Sequence, residues 1–181
     1  MTYQIISTFN GSTETCALSE LSQKLKTNCI LAELNSDNTI IDSWPIVHET
    51  LVTFAVEFAD YALKNYAKKK SPEADTCIAL TKQWLKNNNS VSNEELRAAA
   101  NAATAAAYAA YAYAAANAAH AAAANAAADA AADAAADAAA DAAHAAHAAG
   151  KSREAEYVRQ GVFIVEYLRA AATLSTDAVT A

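Results

Sequence analysis

At 181 residues and a formal charge of −7, the chain is long enough for one domain with its own core. The negative balance excludes a generic nucleic-acid binder or a binder of anionic membranes, and it fits a protein with basic partners. Alanine inflates the apolar share of 54%, and one methyl buries little area. Bulky core mass must therefore come from the parts of the chain outside its alanine run, which hold both tryptophans and all four phenylalanines.

The opening MTYQIISTFNGSTE lacks a basic n-region, and its apolar run is too short for a signal peptide. Within residues 1–44, Tyr3, Ile5 and Ile6, then CILAEL at 29–34 and TIIDSW at 39–44, have strand-like composition. Asn35-Ser36-Asp37-Asn38 reads as the turn of a hairpin. Between these stretches, Ser12 to Lys26 predicts a helix, with Leu18, Leu21 and Leu25 on one face and Ser12 or Thr13 as cap. The segment is expected to be a small N-terminal appendage, β in part or a helix with extended flanks.

Pro45 is expected to open the next helix, where its missing N–H costs nothing. Val47, Leu51, Phe54, Ala55, Phe58, Ala62 and Tyr66 recur at three- and four-residue intervals and predict a buried stripe. Lys68-Lys69-Lys70 closes that helix. Ser71-Pro72-Glu73 then predicts a capped helix running to about Lys86, with Cys77, Ile78, Thr81, Trp84 and Leu85 inward. Beyond Gly150, Ser152 caps a last helix with Val158, Val162, Val165, Leu168 and Ala172 on one side, widened by Tyr157 and Ile164. Gly161 inside that helix predicts close approach of a neighbour. The tail 175–181 is expected to fray.

The stretch from Ala98 to Ala149 is the chain's distinguishing feature: no Gly or Pro interrupts it, and most of it is alanine. Alanine has the best intrinsic helix propensity, so helix is the only sensible reading. Asn93 or Ser92 can cap its start, and Gly150 ends it. A straight helix of that length would be about 78 Å long, against a diameter of about 40 Å for a compact chain of this size. A hairpin is therefore favoured over a rod, with the return at 117–125, where the polar spacing slips. The expected fold class is all-α: a helical bundle at 45–174 built around the alanine helix or hairpin.

Asp129, Asp133, Asp137 and Asp141 follow one another at four-residue steps, each advancing 40° around the helix. Tyr108 and Tyr111 share a sector further up the run, and His144 and His147 continue the acidic side. The result is a polar ribbon on an alanine cylinder. It is either the solvated face of an otherwise packed helix or a docking surface for a basic protein, for which Tyr108, Tyr111, Asp129, Asp133, Asp137 and Asp141 are the candidate contact residues. Asp137, Asp141 and His144 lie at i, i+4 and i+7, but one helix supplies too few ligands for a metal, and no metal or other cofactor is expected. Three cysteines without metal spacing read as reduced, buried thiols of a cytoplasmic protein. No nucleophile, base and orienting group stand together, and three glycines leave no phosphate loop, so no enzyme is expected.

Residues 51–97, LVTFAVEFADYALKNYAKKKSPEADTCIALTKQWLKNNNSVSNEELR, followed by alanine helices punctuated by His, Tyr and Asp (AAHAAHAAG at 142–150), resemble an alanine-rich bacterial immunity protein family of polymorphic toxin systems. The resemblance covers roughly residues 45–170 and leaves 1–44 aside. It implies a non-catalytic protein that binds and neutralises a cognate toxin, a basic one given the acidic ribbon. A self-associating scaffold packed through alanine faces is the alternative, with a homo-oligomer as its consequence.

Overall fold

The computed structural model describes residues 2–26, 28–66, 71–87, 90–110 and 134–177, without the side chains of residues 93, 103–110, 134–138 and 174–177. It corrects the all-α expectation. Residues 2–46 form a four-stranded antiparallel sheet, made of β1 (Thr2–Ser7), β2 (Thr13–Ala17), β3 (Cys29–Leu34) and β4 (Ile40–Ile46), in the order β2-β1-β3-β4. A 3-10 turn at Leu18–Glu20 and the short helix α1 (Leu21–Lys24) connect β2 to β3. Helices α2 (His48–Asn65), α3 (Pro72–Lys86), α4 (Asn93–Ala110), α5 (Ala134–Ala148) and α6 (Arg153–Asp177) complete the described chain.

The sheet is not an appendage, because its inner face is half of a core. Tyr3 and Ile5 on β1, Cys16 on β2, Cys29 and Leu31 on β3, and Trp44 and Ile46 on β4 are all buried. They pack with Leu51, Phe54 and Phe58 of α2, alanines of α5, and Ile164, Val165 and Leu168 of α6. Register explains the shared face: Tyr3 pairs with Cys16 and Glu33, Ile5 with Leu31, and Leu31 with Trp44. Residues directly opposite in an antiparallel ladder point to the same side.

Two local expectations fail for identifiable reasons. Thr13–Ala17 is an edge strand and not the start of a helix, although Leu21 and Leu25 do turn inward. Only Cys16 is buried on this strand, so it carries no alternation to betray it. Pro45 lies in β4, and α2 begins at His48. A strand at the sheet edge tolerates a residue without an N–H.

A second core lies on the other side of α2. Val52, Ala55, Val56 and Ala59 pack against Ala74, Cys77, Ile78 and Trp84 of α3 and against Val91, Leu96 and Ala100. Helix α2 is thus buried on two flanks, which is why its apolar residues exceed the single stripe expected. Helix α3 has the expected bounds, with Ser71 Oγ accepting from the Ala74 N–H at 3.3 Å and Pro72 at the first position. Ser92 caps α4: its hydroxyl accepts from the Glu95 N–H at 3.2 Å, while Glu95 Oε2 accepts from the Ser92 N–H at 2.8 Å. Gly150, at φ 76°, ends α5; its N–H reaches His147 O at 2.9 Å and the Lys151 N–H reaches Ala146 O at 2.8 Å, a Schellman motif.

Helix α5 packs through bare alanine. Ala139, Ala142, Ala143, Ala145 and Ala146 are buried, while His144 and His147 are exposed. Whether the run doubles back at 117–125 lies outside the described residues. The inward side of α6 differs from expectation: Val158 and Val162 are exposed, and Glu156, Gln160, Gly161, Ile164, Val165 and Leu168 are buried. Choosing the face by valines misled, because the close-packed side centres on a glycine and two polar residues. No described helix is long and apolar enough to cross a membrane.

Candidate functional site

The polar ribbon falls on α5 only in part. Tyr111, Asp129 and Asp133 lie outside the described residues; Tyr108 and Asp137 are placed on α4 and α5 by their backbone alone. Asp141 is half-buried, on the same side of α5 as exposed His144 and His147 and opposite the packed alanines. On the described part of α5, the side bearing Asp141, His144 and His147 is therefore the one turned away from the packed alanines.

The most developed polar cluster was not among the sequence candidates. It joins the C-terminal end of α2 to the first turns of α6. The Glu156 side chain is 1% exposed, yet its oxygens are saturated. Tyr66 Oη donates to Oε2 at 2.6 Å, Arg159 donates to Oε2 at 2.9 Å and to Oε1 at 2.6 Å, and Gln160 Nε2 donates to Oε1 at 3.1 Å. Four donors on one carboxylate are what keeping a buried charge requires. Burial and the carboxylate it donates to push the Tyr66 phenol well above its ordinary range. Arg159 also lies over the Tyr61 ring, 3.6 Å from its centroid, a cation–π contact. Tyr61 and Tyr66 meet edge to face at 5.7 Å.

Above this cluster opens a cleft of about 530 Å³, whose walls are Tyr61, Tyr66, Ala155 and Arg159 and whose rim includes Asn65, Lys151 and Ser152. Gln160 Nε2 also reaches Ala139 O at 3.1 Å, tying the cluster to the alanine helix.

A second buried acid sits at the other end of α6. Glu33 is 2% exposed, and Arg169 donates to its Oε2 at 2.6 Å; Oε1 has no partner among the described residues. Burial, then the charge of Glu33, raises the phenol of its cross-strand neighbour Tyr3. Between α2 and α3, Lys82 bridges Glu57 at 2.9 Å and Asp60 at 2.6 Å. Burial opposes ionisation of Asp60, but hydrogen bonds from Lys82 and Lys64 outweigh it and hold the carboxyl below its usual range.

The three cysteines are buried and none of them is in a disulfide. Burial pushes the thiols up, Cys16 to about 11 and Cys77 to about 12, which suppresses the reactive thiolate. Among the described residues, no group of three or more His, Cys, Asp or Glu could hold a metal ion. Compared with family models, curated proteins and solved structures, the chain gives no match.

Proposed function

We propose that this chain is a non-catalytic immunity protein of the cytoplasm that binds a basic toxin and blocks it. The observation that supports the reading is the seating of α5, whose alanine side is packed against α2 and α6 while the side bearing Asp141, His144 and His147 is left outward. A helix held along one side presents the other as a stiff surface, so little ordering is needed when a partner docks. In the sequence Asp129, Asp133 and Asp137 precede Asp141 at four-residue steps, and an aligned row of one sign speeds encounter with a protein of the other. The resemblance of residues 45–170 to immunity proteins supplies the class of partner.

The test is co-expression with each protein encoded beside this chain, scored for toxicity and rescue, followed by binding kinetics with any toxin so found. The chain should restore growth, and the double variant Asp133→Lys, Asp137→Lys should associate about tenfold more slowly, with a flatter salt dependence. No protection by the wild-type chain would end the immunity reading. Unchanged kinetics in the double variant would move the contact elsewhere on the surface.

A further inference from the structure

The cleft above Glu156 presents hydrogen-bond donors and flat apolar walls, and its charge differs in sign from that of the whole chain. Glu156 lies in its floor but offers no free acceptor, since four donors already occupy its two oxygens. Arg159 gives its Nε–H and one N–H of Nη2 to that carboxylate, lines the cleft, is partly exposed and has further N–H groups to donate. Lys151 stands on the rim, and its ammonium makes no ion pair among the described residues. Formal charges of Lys151, Arg159 and Glu156 leave one positive charge facing a cleft in a chain of net charge −7. Tyr61, Tyr66 and Ala155 also line the cleft, with the two rings edge to face and the Arg159 guanidinium over the Tyr61 ring.

We infer that this cleft is a binding site for a monocarboxylate carried on a flat, apolar body. One charge calls for one anionic group. A carboxylate is acceptor-only and matches an ammonium beside a guanidinium edge. The tyrosine walls suit an aromatic or planar body more than a compact, fully hydrated anion. Because the buried carboxylate already holds Arg159 and Tyr66 in place, the ligand need not order them, and preorganisation of that kind favours binding. The inference stands apart from the toxin reading, since it concerns a different surface and the opposite charge.

The full chain is titrated with benzoate by calorimetry and by amide NMR, with benzamide and inorganic phosphate in parallel. Benzoate should bind saturably, with a Kd on the order of 1 mM for so small a ligand, and shift the amides around Tyr61, Tyr66 and Lys151. Benzamide, which has the same shape without the charge, should bind at least about tenfold more weakly. Lys151→Gln should weaken benzoate by about tenfold without changing the melting temperature, and Lys151→Arg should restore it. No saturation by benzoate, equal binding of benzamide, an unaltered Kd in Lys151→Gln, or phosphate binding as tightly as benzoate would each overturn the assignment.

Discussion

Gly161 lies where α6 crosses the 3-10 turn after β2, and a Cβ built there would sit 2.1 Å from Leu18 O. Alanine would improve helix propensity by about 1 kcal/mol, but it cannot be accommodated unless two backbones separate. Gly161→Ala should therefore destabilise the fold by about 1–3 kcal/mol, read as a lower urea midpoint at unchanged m-value. A midpoint equal to or above that of the parent would show that the turn moves aside freely. The sequence marked this glycine as a close approach, but the approaching residue, Leu18, is remote in the chain and could not be named. Glu33 teaches the same lesson. Strand alternation places it with Cys29 and Leu31 on the inward side, so its burial was legible once CILAEL was read as a strand. Arg169, its partner, lies 136 residues further on, and no local pattern connects the two.

At the scale of the element, the alanine helix poses a problem of register. Every methyl on its packed side is alike, so sliding or rotating α5 by one repeat changes the buried area little, at about 25 cal/mol per Å². Directional bonds distinguish one seating from the next, and Gln160 supplies such a bond to Ala139 O from the first turns of α6. Its role matches that of single buried polar residues that fix register in coiled coils. Gln160→Leu keeps the volume and removes the donors, and should cost roughly 1–3 kcal/mol. The diagnostic measurement is hydrogen exchange: amides of α5 should lose more protection than those of α2. A uniform loss across both helices would reduce Gln160 to an ordinary stabilising contact. Sequence patterning could announce the Ser92 cap of α4 and, for the alanine helix α5, its Gly150 stop, because those depend on neighbours in the chain. It could not find the face of α6 that grips it, because that face is polar at Glu156 and Gln160 and has no side chain at Gly161.

The whole molecule is two cores sharing α2. Leu51, Phe54 and Phe58 pack toward the sheet and α6, while Val52, Val56 and Ala59 pack toward α3 and α4. Helical composition dominates the sequence, and that weight hid the sheet: β1 pairs not only with its neighbour β2 but with β3, a pairing no short-range signal reports. The consequence is that residues 2–46 are structural for everything after them. Removing them would strip Tyr3, Ile5, Leu31, Trp44 and Ile46 from the core and expose Leu51, Phe54, Phe58, Ile164 and Leu168 together. Each large side chain so exposed forfeits about 1.5–3 kcal/mol, and the sum over five is of the same size as the whole stability of a domain, usually about 5–15 kcal/mol. A chain beginning at Val47 should therefore keep much of its far-ultraviolet helical signal, since alanine sustains helix without a core, yet lose its cooperative thermal transition and bind a hydrophobic dye. A sharp melting transition in the shortened chain, close to that of the full one, would show that the helices form a bundle of their own and that the sheet is dispensable to it.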